Sequence, residues 1–296
     1  MAEKLTIFTP SYNRAAFLPK ACDALRRQSC KDFVWLIIDD GSSDGTEQLV
    51  SELQNRDNGF AIRYVYKENG GLHTGYNEAI ARADTELCMC IDSDDYIAED
   101  AVSFILQTWE RVKRPDCAGI VGQVMGLDGV KHGAVEPFNS YVNLNQYDAK
   151  NKWSGDRKLV VRTDLYRSVA PMPSFEGEKN FNPQYMHILI SKDHAFYSVD
   201  RVLCVVDYQN TGMSAGIWKQ FLNSPNSFAE YRRMKMTVMP YGLAGAVRNA
   251  IHYDSSCILA GKPKDILTRS PRKLLTCAVS PLGLLLSLCV RLKGRG

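Results

Sequence analysis

Six consecutive apolar residues, Phe33-Val34-Trp35-Leu36-Ile37-Ile38, run without interruption and stop at Asp39-Asp40-Gly41. A strand with one wet face alternates in polarity. A run this uniform is apolar on both faces and belongs inside a parallel sheet covered by helices. Its neighbours repeat the theme. Leu5-Thr6-Ile7-Phe8-Thr9 ends at Pro10, and Ala15 to Gln28 then carries Phe17, Leu18, Ala21, Ala24 and Leu25 at helical spacing. After Gly45 a second helix begins, with Asp44 or Ser43 as its expected cap. Ile62 to Tyr66 is a third strand, followed by the turn Glu68-Asn69-Gly70-Gly71 and a helix from Leu72 to Ala83. Leu87 to Ile91 is a fourth strand, and Ala101 to Val112 the next helix. Such βαβαβαβ alternation with short connections predicts an α/β fold with a mainly parallel sheet flanked by helices.

Ligands of open sheets bind outside the carboxyl ends of the strands. Three of these strands end in polar clusters: Ser11-Tyr12-Asn13-Arg14, Asp39 to Asp44, and Asp92-Ser93-Asp94-Asp95. In a parallel sheet all three share one rim. The last cluster crowds carboxylates that repel one another. A hard divalent cation, bound by one or two carboxylates and the phosphates of a substrate, relieves that repulsion. Taken alone, the cluster also fits a capped turn before the helix that begins near Glu99.

The alternation weakens after Ala118 to Gly122. Met125 to Lys152 reads as a strand, a turn and a long loop. Lys158 to Val161 is a short strand and Thr163 to Arg167 a brief helix. Pro171 to Asn182 is a loop carrying Glu176 and Glu178, and Pro183 to Ile190 a helix. Phe196 to Val199 and Val202 to Val206 are strands, and Gly216 to about Gly261 is helical. Leu274 to Val290 contains no charge; Arg269, Arg272 and Lys273 precede it, and Arg291, Lys293 and Arg295 follow. That stretch is at the short limit for crossing a bilayer. Its basic flanks suit an interfacial segment held by anionic lipid, and the alternative is a buried helix that closes the domain.

Composition narrows the setting. A formal net charge of +3 over 296 residues gives no reason to expect nucleic acid. The nine cysteines lie in apolar or helical segments, without C-x-x-C spacing or a histidine at zinc-site spacing. They read as small buried hydrophobes in a reducing compartment. The chain enters a strand within a few residues of its start, with no signal peptide pattern, so a cytoplasmic location is expected. His187 and His194 read as structural.

Thr9-Pro10-Ser11-Tyr12-Asn13-Arg14, Ile38-Asp39-Asp40-Gly41-Ser42-Ser43-Asp44-Gly45-Thr46, Asn69-Gly70-Gly71 and Ile91-Asp92-Ser93-Asp94-Asp95 occur in the order and spacing seen in family 2 glycosyltransferases of the GT-A fold. The resemblance covers about residues 4 to 125 closely and extends more loosely to about 210. It implies a Rossmann-like catalytic domain over 1–210, with 1–125 the nucleotide-sugar half and 126–210 the acceptor half. A helical extension over 211–296 follows, with 270–292 meeting the membrane.

The implied activity is inverting, metal-dependent transfer from a UDP-sugar to a glycan or polyprenyl-diphosphate-linked acceptor in surface polysaccharide synthesis, at the inner face of the cell membrane. The implied donor contacts are Pro10 and Tyr12 for base and ribose and Asp40 for the uracil N–H. Arg14, Asn69, Gly71, Asp92 and Ser93 complete that set, while Asp39 supports the turn. Asp94, with Asp92, would hold Mn²⁺ or Mg²⁺. Asp95 faces the sugar or caps the next helix. The base that takes the acceptor proton is assigned to Glu178, then Glu176. Lys179 stands where the family usually has Asp, a departure from the pattern. Trp153 and Asp156 would line the acceptor side. The alternatives are a non-catalytic nucleotide-sugar-binding relative, or another nucleotide-dependent transferase. A dinucleotide-dependent oxidoreductase would need G-x-G-x-x-G after the first strand, which this chain lacks.

Overall fold

The computed structural model describes residues 3–150, 156–207 and 216–294. Strand β1 (Leu5–Ser11) pairs in parallel with β2 (Phe33–Asp39) on one side and β4 (Leu87–Cys90) on the other, and β2 pairs in parallel with β3 (Ala61–Tyr66). All seven residues of β2 are buried, as its uniform apolar run requires. Helices α1 (Leu18–Arg26), α2 (Thr46–Gln54), α3 (Leu72–Arg82) and α4 (Ala101–Val112) follow the four strands in turn. Helix α1 begins three residues later than its periodicity suggests. A turn intervenes, in which the Phe17 N–H donates to the Arg14 carbonyl, and Pro19 fits the first helical turn because no N–H is needed there.

The sheet continues past β4 with strands the alternation does not reveal. With β5 at Tyr96–Ile97, β6 at Cys117–Gly126, β9 at Arg157–Arg162 and β10 at Ala195–Val206, the order is β3-β2-β1-β4-β9-β6-β10-β5, and β9 lies antiparallel between β4 and β6. Strand β10 (Ala195–Val206) is parallel to β6, so β6 and β10 run the same way as β1 and β4. It is one irregular strand, with register shifts between Ser198 and Val202, where the sequence suggests two. Short β5 (Tyr96–Ile97), β7 (Lys131–His132) and β8 (Ser140–Val142) pair antiparallel at the margins. The core below the rim is built from Ile7, Trp35, Ile37, Met89, Ile105 and Ile120 among others.

Two compact units are present. The first, Met1–Leu144, Trp153–Pro171 and Asp193–Tyr208, holds the sheet with α1–α4 and α6 (Thr163–Val169). The second, Asn145–Lys152, Met172–Lys192 and Gln209–Gly296, is helical. Its helices are α5 (Leu144–Lys150), α7 (Gln184–Ile190), α8 (Ile217–Asn223), α9 (Pro225–Val238), α10 (Leu243–Leu259), α11 (Asp265–Thr268) and α12 (Lys273–Lys293). A single cut near 210 therefore differs from the structure, because 145–150 and 172–192 fold with the C-terminal helices.

Within the second unit, Met236, Ala250, Tyr253, Cys257 and Val279 form a small core among α9, α10 and α12. Pro281 sits inside α12, where it can donate no bond to the Cys277 carbonyl; the Ser280 hydroxyl donates there instead, at 3.0 Å. All nine cysteines are unpaired thiols. Six are buried, as expected; Cys30 and Cys289 are half-buried, and Cys277 is exposed.

Candidate functional site

The loops after β1 and β2 are stitched into one surface. The Asp40 N–H donates to the Ser11 carbonyl (2.8 Å), and the Asn13 N–H to the Ser42 hydroxyl (2.9 Å). The Ser43 N–H donates to Asn13 Oδ1 (2.8 Å) and the Ala15 N–H to Asp44 Oδ2 (2.9 Å). Asn13 takes a left-handed backbone (φ 50°), a conformation that Asn tolerates better than most residues. Gly45, also left-handed at φ 83°, occupies the cap position of α2. Asp44 still serves that end, accepting from the Thr46 hydroxyl at 2.6 Å and lying 3.3 Å from the Thr46 amide nitrogen.

The Asp39-Asp40 pair divides its work. Asp39 Oδ1 accepts from the Ser42 N–H (2.8 Å) and Oδ2 from the Tyr64 hydroxyl (2.6 Å), so it supports the turn as expected. Asp40 is 5% exposed and is held by the next loop. Its Oδ1 meets Lys67 Nζ (2.5 Å) and the Gly70 N–H (2.9 Å), and its Oδ2 the Gly71 N–H (2.7 Å). Asn69 Nδ2 donates to the Asp40 carbonyl at 2.8 Å. Gly71 caps α3 with φ 94°, so the positive end of that helix is met by Asp40 itself. Asp40 and the Asn69-Gly70-Gly71 turn, both expected to contact the donor, here satisfy each other.

The third cluster follows β4. Asp92 is exposed, and Asp94 Oδ2 lies 3.7 Å from an Arg14 guanidinium nitrogen. Arg14 therefore links the loop after β1 to the one after β4. Burial raises the Asp94 pKa against the pull of Arg14, and Asp92 and Asp207 raise it further. Asp95 is 7% exposed and pairs with Lys158 Nζ at 3.5 Å. Burial pushes Asp95 up to about 6 against the pull of Lys158, with Asp92 and Asp94 adding to the rise. Four carboxylates thus act on one another beside two cations.

Lys158 and Asp207 are the residues that sequence reasoning passed over. Lys158 is the second residue of the antiparallel β9, and Asp207 follows directly on β10. Because β10 runs with β1 and β4, its end falls on the same rim, and the strand-end rule applied to Val206-Asp207 finds it.

Pro10, Ser11 and Ser93 are buried, and Tyr12 is 51% exposed with its ring available at the rim. Asp156 is exposed just before β9, and Trp153 lies outside the described residues. Glu176 is exposed in the second unit. Glu178 is 8% exposed there, with both oxygens occupied. Oε1 accepts from the Asn226 N–H (2.8 Å) and Nδ2 (2.7 Å), and Oε2 from the Ser227 N–H (2.7 Å) and hydroxyl (2.6 Å). These are the opening residues of α9, so Glu178 caps that helix. Four donors on one carboxylate leave no lone pair aimed at an incoming proton.

Among the described residues, no three His, Cys, Asp or Glu side chains converge as a ready-made metal cage. The donor set nevertheless suits a hard cation. Asp92 and Asp94 offer oxygens at a crowded, net-negative rim, and Mg²⁺-type sites use one or two carboxylates completed by substrate phosphates.

With this geometry in place, the comparisons are specific. Residues 6–156 match the family described as glycosyl transferase family 2. A Pasteurella multocida chondroitin synthase is 30% identical over 42% of this chain, a match that spans 13% of that protein. A Campylobacter jejuni GalNAc(5)-diNAcBac-PP-undecaprenol beta-1,3-glucosyltransferase is 32% identical over 35% of this chain and 34% of its own length. A solved structure of S. aureus TarS 1-349 with UDP-GlcNAc superposes with a TM-score of 0.59 at 15% identity, covering 98% of this chain and 92% of that one. The mannosyltransferase PcManGT from Pyrobaculum calidifontis, solved with GDP-Man and Mn²⁺, gives a TM-score of 0.58 at 16% identity, over 100% of this chain and 84% of that one. These two likenesses show a shared fold.

Proposed function

The chain belongs to glycosyl transferase family 2 and has the GT-A fold, and from that premise we propose that it is an inverting glycosyltransferase using a UDP-sugar. Its acceptor in this reading is a glycan or polyprenyl-diphosphate-linked saccharide of surface polysaccharide synthesis, used at the inner face of the membrane. The observation that carries the reading is the rim where β1, β2, β4 and β10 all end, with Asp92, Asp94 and Asp95 at its centre and Arg14, Lys158 and Asp207 around them. Support for the donor and acceptor classes comes from relatives: TarS was solved with UDP-GlcNAc, and the Campylobacter glucosyltransferase is named for an undecaprenol-linked substrate.

The exposed Tyr12 ring would take the base. Asp40 would act by holding the Asn69-Gly70-Gly71 turn beside the donor. A bound Mn²⁺ or Mg²⁺, held by Asp94 and Asp92, would supply charge neutralisation on the leaving diphosphate. Arg14 would pass from Asp94 to the diphosphate as the donor enters. The base that accepts the proton of the acceptor hydroxyl is assigned to Glu176, and Glu178 to holding its loop. The test is UDP release from a panel of UDP-sugars with Mn²⁺ and a polyprenyl-diphosphate-linked acceptor. Turnover that disappears in Asp94→Asn supports the reading. Thermal stabilisation by UDP with no turnover under any donor would make the chain a non-catalytic relative, the role that Lys179 in place of the usual Asp would favour.

A further inference from the structure

Helix α12 is packed inside out for a water-soluble helix. Its buried positions are Thr276, Val279, Gly283, Ser287 and Val290, on the side that packs against α10, α11 and α8. Gly283 lets the helices close: a side chain there would meet Asp254 Cβ of α10 at 2.5 Å. Six of its eight leucines point the other way, while Leu275 packs on the small core and Leu286 is half-buried. Leu274 is 89% exposed, Leu282 51%, Leu284 50%, Leu285 59%, Leu288 49% and Leu292 79%. Together with Cys277, Ala278 and Pro281, also exposed, they form one continuous apolar stripe along the helix. A soluble helix turns such residues inward; small residues inward and leucines outward is the arrangement of helices that meet lipid.

The charges around the stripe say what covers it. No acidic residue follows Asp265, while Arg269, Arg272, Lys273, Arg291, Lys293 and Arg295 all do. Arg272, Lys273 and Arg291 are exposed and have no acidic partner among the described residues. A second copy of the chain laid on this stripe would bring like charges together at both ends. An anionic lipid surface neutralises them.

We propose that α12 docks the protein on an anionic lipid surface, lying in the plane of the membrane with its leucine stripe sunk into the headgroup boundary. Basic residues at both ends of the helix hold both ends at headgroup level. A spanning arrangement would draw in α10, which covers the opposite face of α12 and carries Arg248, Asn249 and Asp254. The proposal deepens the membrane-proximal acceptor reading and rests on it for its setting, but its test needs neither sugar nucleotide nor metal.

The full chain is pelleted with sucrose-loaded vesicles of phosphatidylglycerol and phosphatidylcholine, and with phosphatidylcholine alone. Binding to the anionic vesicles is expected, weaker in high salt, with a fall of about a hundredfold in the double variant Leu284→Glu/Leu288→Glu. The double variant Leu284→Phe/Leu288→Phe should keep binding. Both variants should keep the wild-type circular dichroism and UDP release with a soluble acceptor, since neither position is buried. Alkaline carbonate should strip the wild type from the vesicles. The proposal is overturned by folded wild type that ignores anionic vesicles, by binding that survives the Glu pair, or by carbonate resistance, which marks a spanning helix. A dimer in light scattering that the Glu pair dissociates would likewise overturn it, assigning the stripe to a second copy. Vesicle binding without UDP release would sink the transferase reading and leave this one standing.

Discussion

Asp40 and Asp254 are both buried carboxylates, and their surroundings are opposite. Asp40, at the rim, is met by Lys67, Gly70 and Gly71. Asp254, in the seam between α10 and α12, is 0% exposed and no donor reaches either oxygen. Burial alone pushes it up to about 7. The first acid is part of a motif whose partners sit in the next loop of the sequence pattern, and it ties the two loops together. The second is placed by helix packing and has no donor to hold its charge. A carboxylate in a protein interior is therefore no index of function until its donors are counted.

The contrast can be broken by experiment. The largest effect belongs to the rim's chemistry: Asp94→Asn should lower UDP release by about a thousandfold with the fold intact by circular dichroism, since removing charge stabilisation of a leaving diphosphate removes several kcal/mol. Next is stability at the rim. Asp40→Ala takes the carboxylate away from Lys67, which keeps only the Glu68 carbonyl, leaves the Gly70 and Gly71 amides without their acceptor, and should destabilise the chain by about 3–5 kcal/mol in urea unfolding; a loss no larger than that of Asp254→Ala would erase the comparison.

The second unit tests the division of labour between its glutamates. Glu178→Ala removes the α9 cap and should cost about 1–2 kcal/mol. Glu176→Gln should leave the unfolding midpoint unchanged while lowering kcat about a hundredfold. The reverse pattern would return the base to Glu178.

The smallest effect has the opposite sign. The folded pKa of Asp254 lies above its ordinary value, so the folded state holds a proton that the unfolded chain releases. Its contribution to stability falls as pH rises from about 4 to about 7, and the loss is complete above that range. Asp254→Asn should therefore raise Tm at pH 8, by about 1 kcal/mol of stability, and the gain should vanish near pH 4.

The parts of the fold legible in the sequence are those where one element declares itself. Strand β2 is apolar on both faces, and Ala101–Val112 carries an unbroken helical period; both appear where expected. Strand direction leaves no such mark. Nothing in Arg157–Arg162 says that it runs against β4 and β6, and that reversal is what brings Lys158 to Asp95. Helix α5, LNQYDAK, has no apolar period and reads as loop. At the rim, the motifs told where the polar turns lie. They did not tell that Asp40 is answered from within the chain, because its partners come from a different loop. Nor did they show Glu178 capping α9, because Asn226 and Ser227 lie far along the chain. The C-terminal segment was legible as apolar with basic flanks, but which of its residues face inward depended on α10.

The stitched loops bear on how such a protein can change over evolution. Gly41 is so close to the Asn69 backbone that a side chain there would come within 2.8 Å of its nitrogen, and Asn13, Ser42, Ser43 and Asp44 interlock the two loops on the other side. A loop so tightly braced accepts no insertion without disturbing its neighbours. A lineage acquiring a new donor sugar or acceptor would keep these braced loops nearly constant in length. It would vary residues 126–140 and the helical unit instead, and such a lineage should show its insertions there.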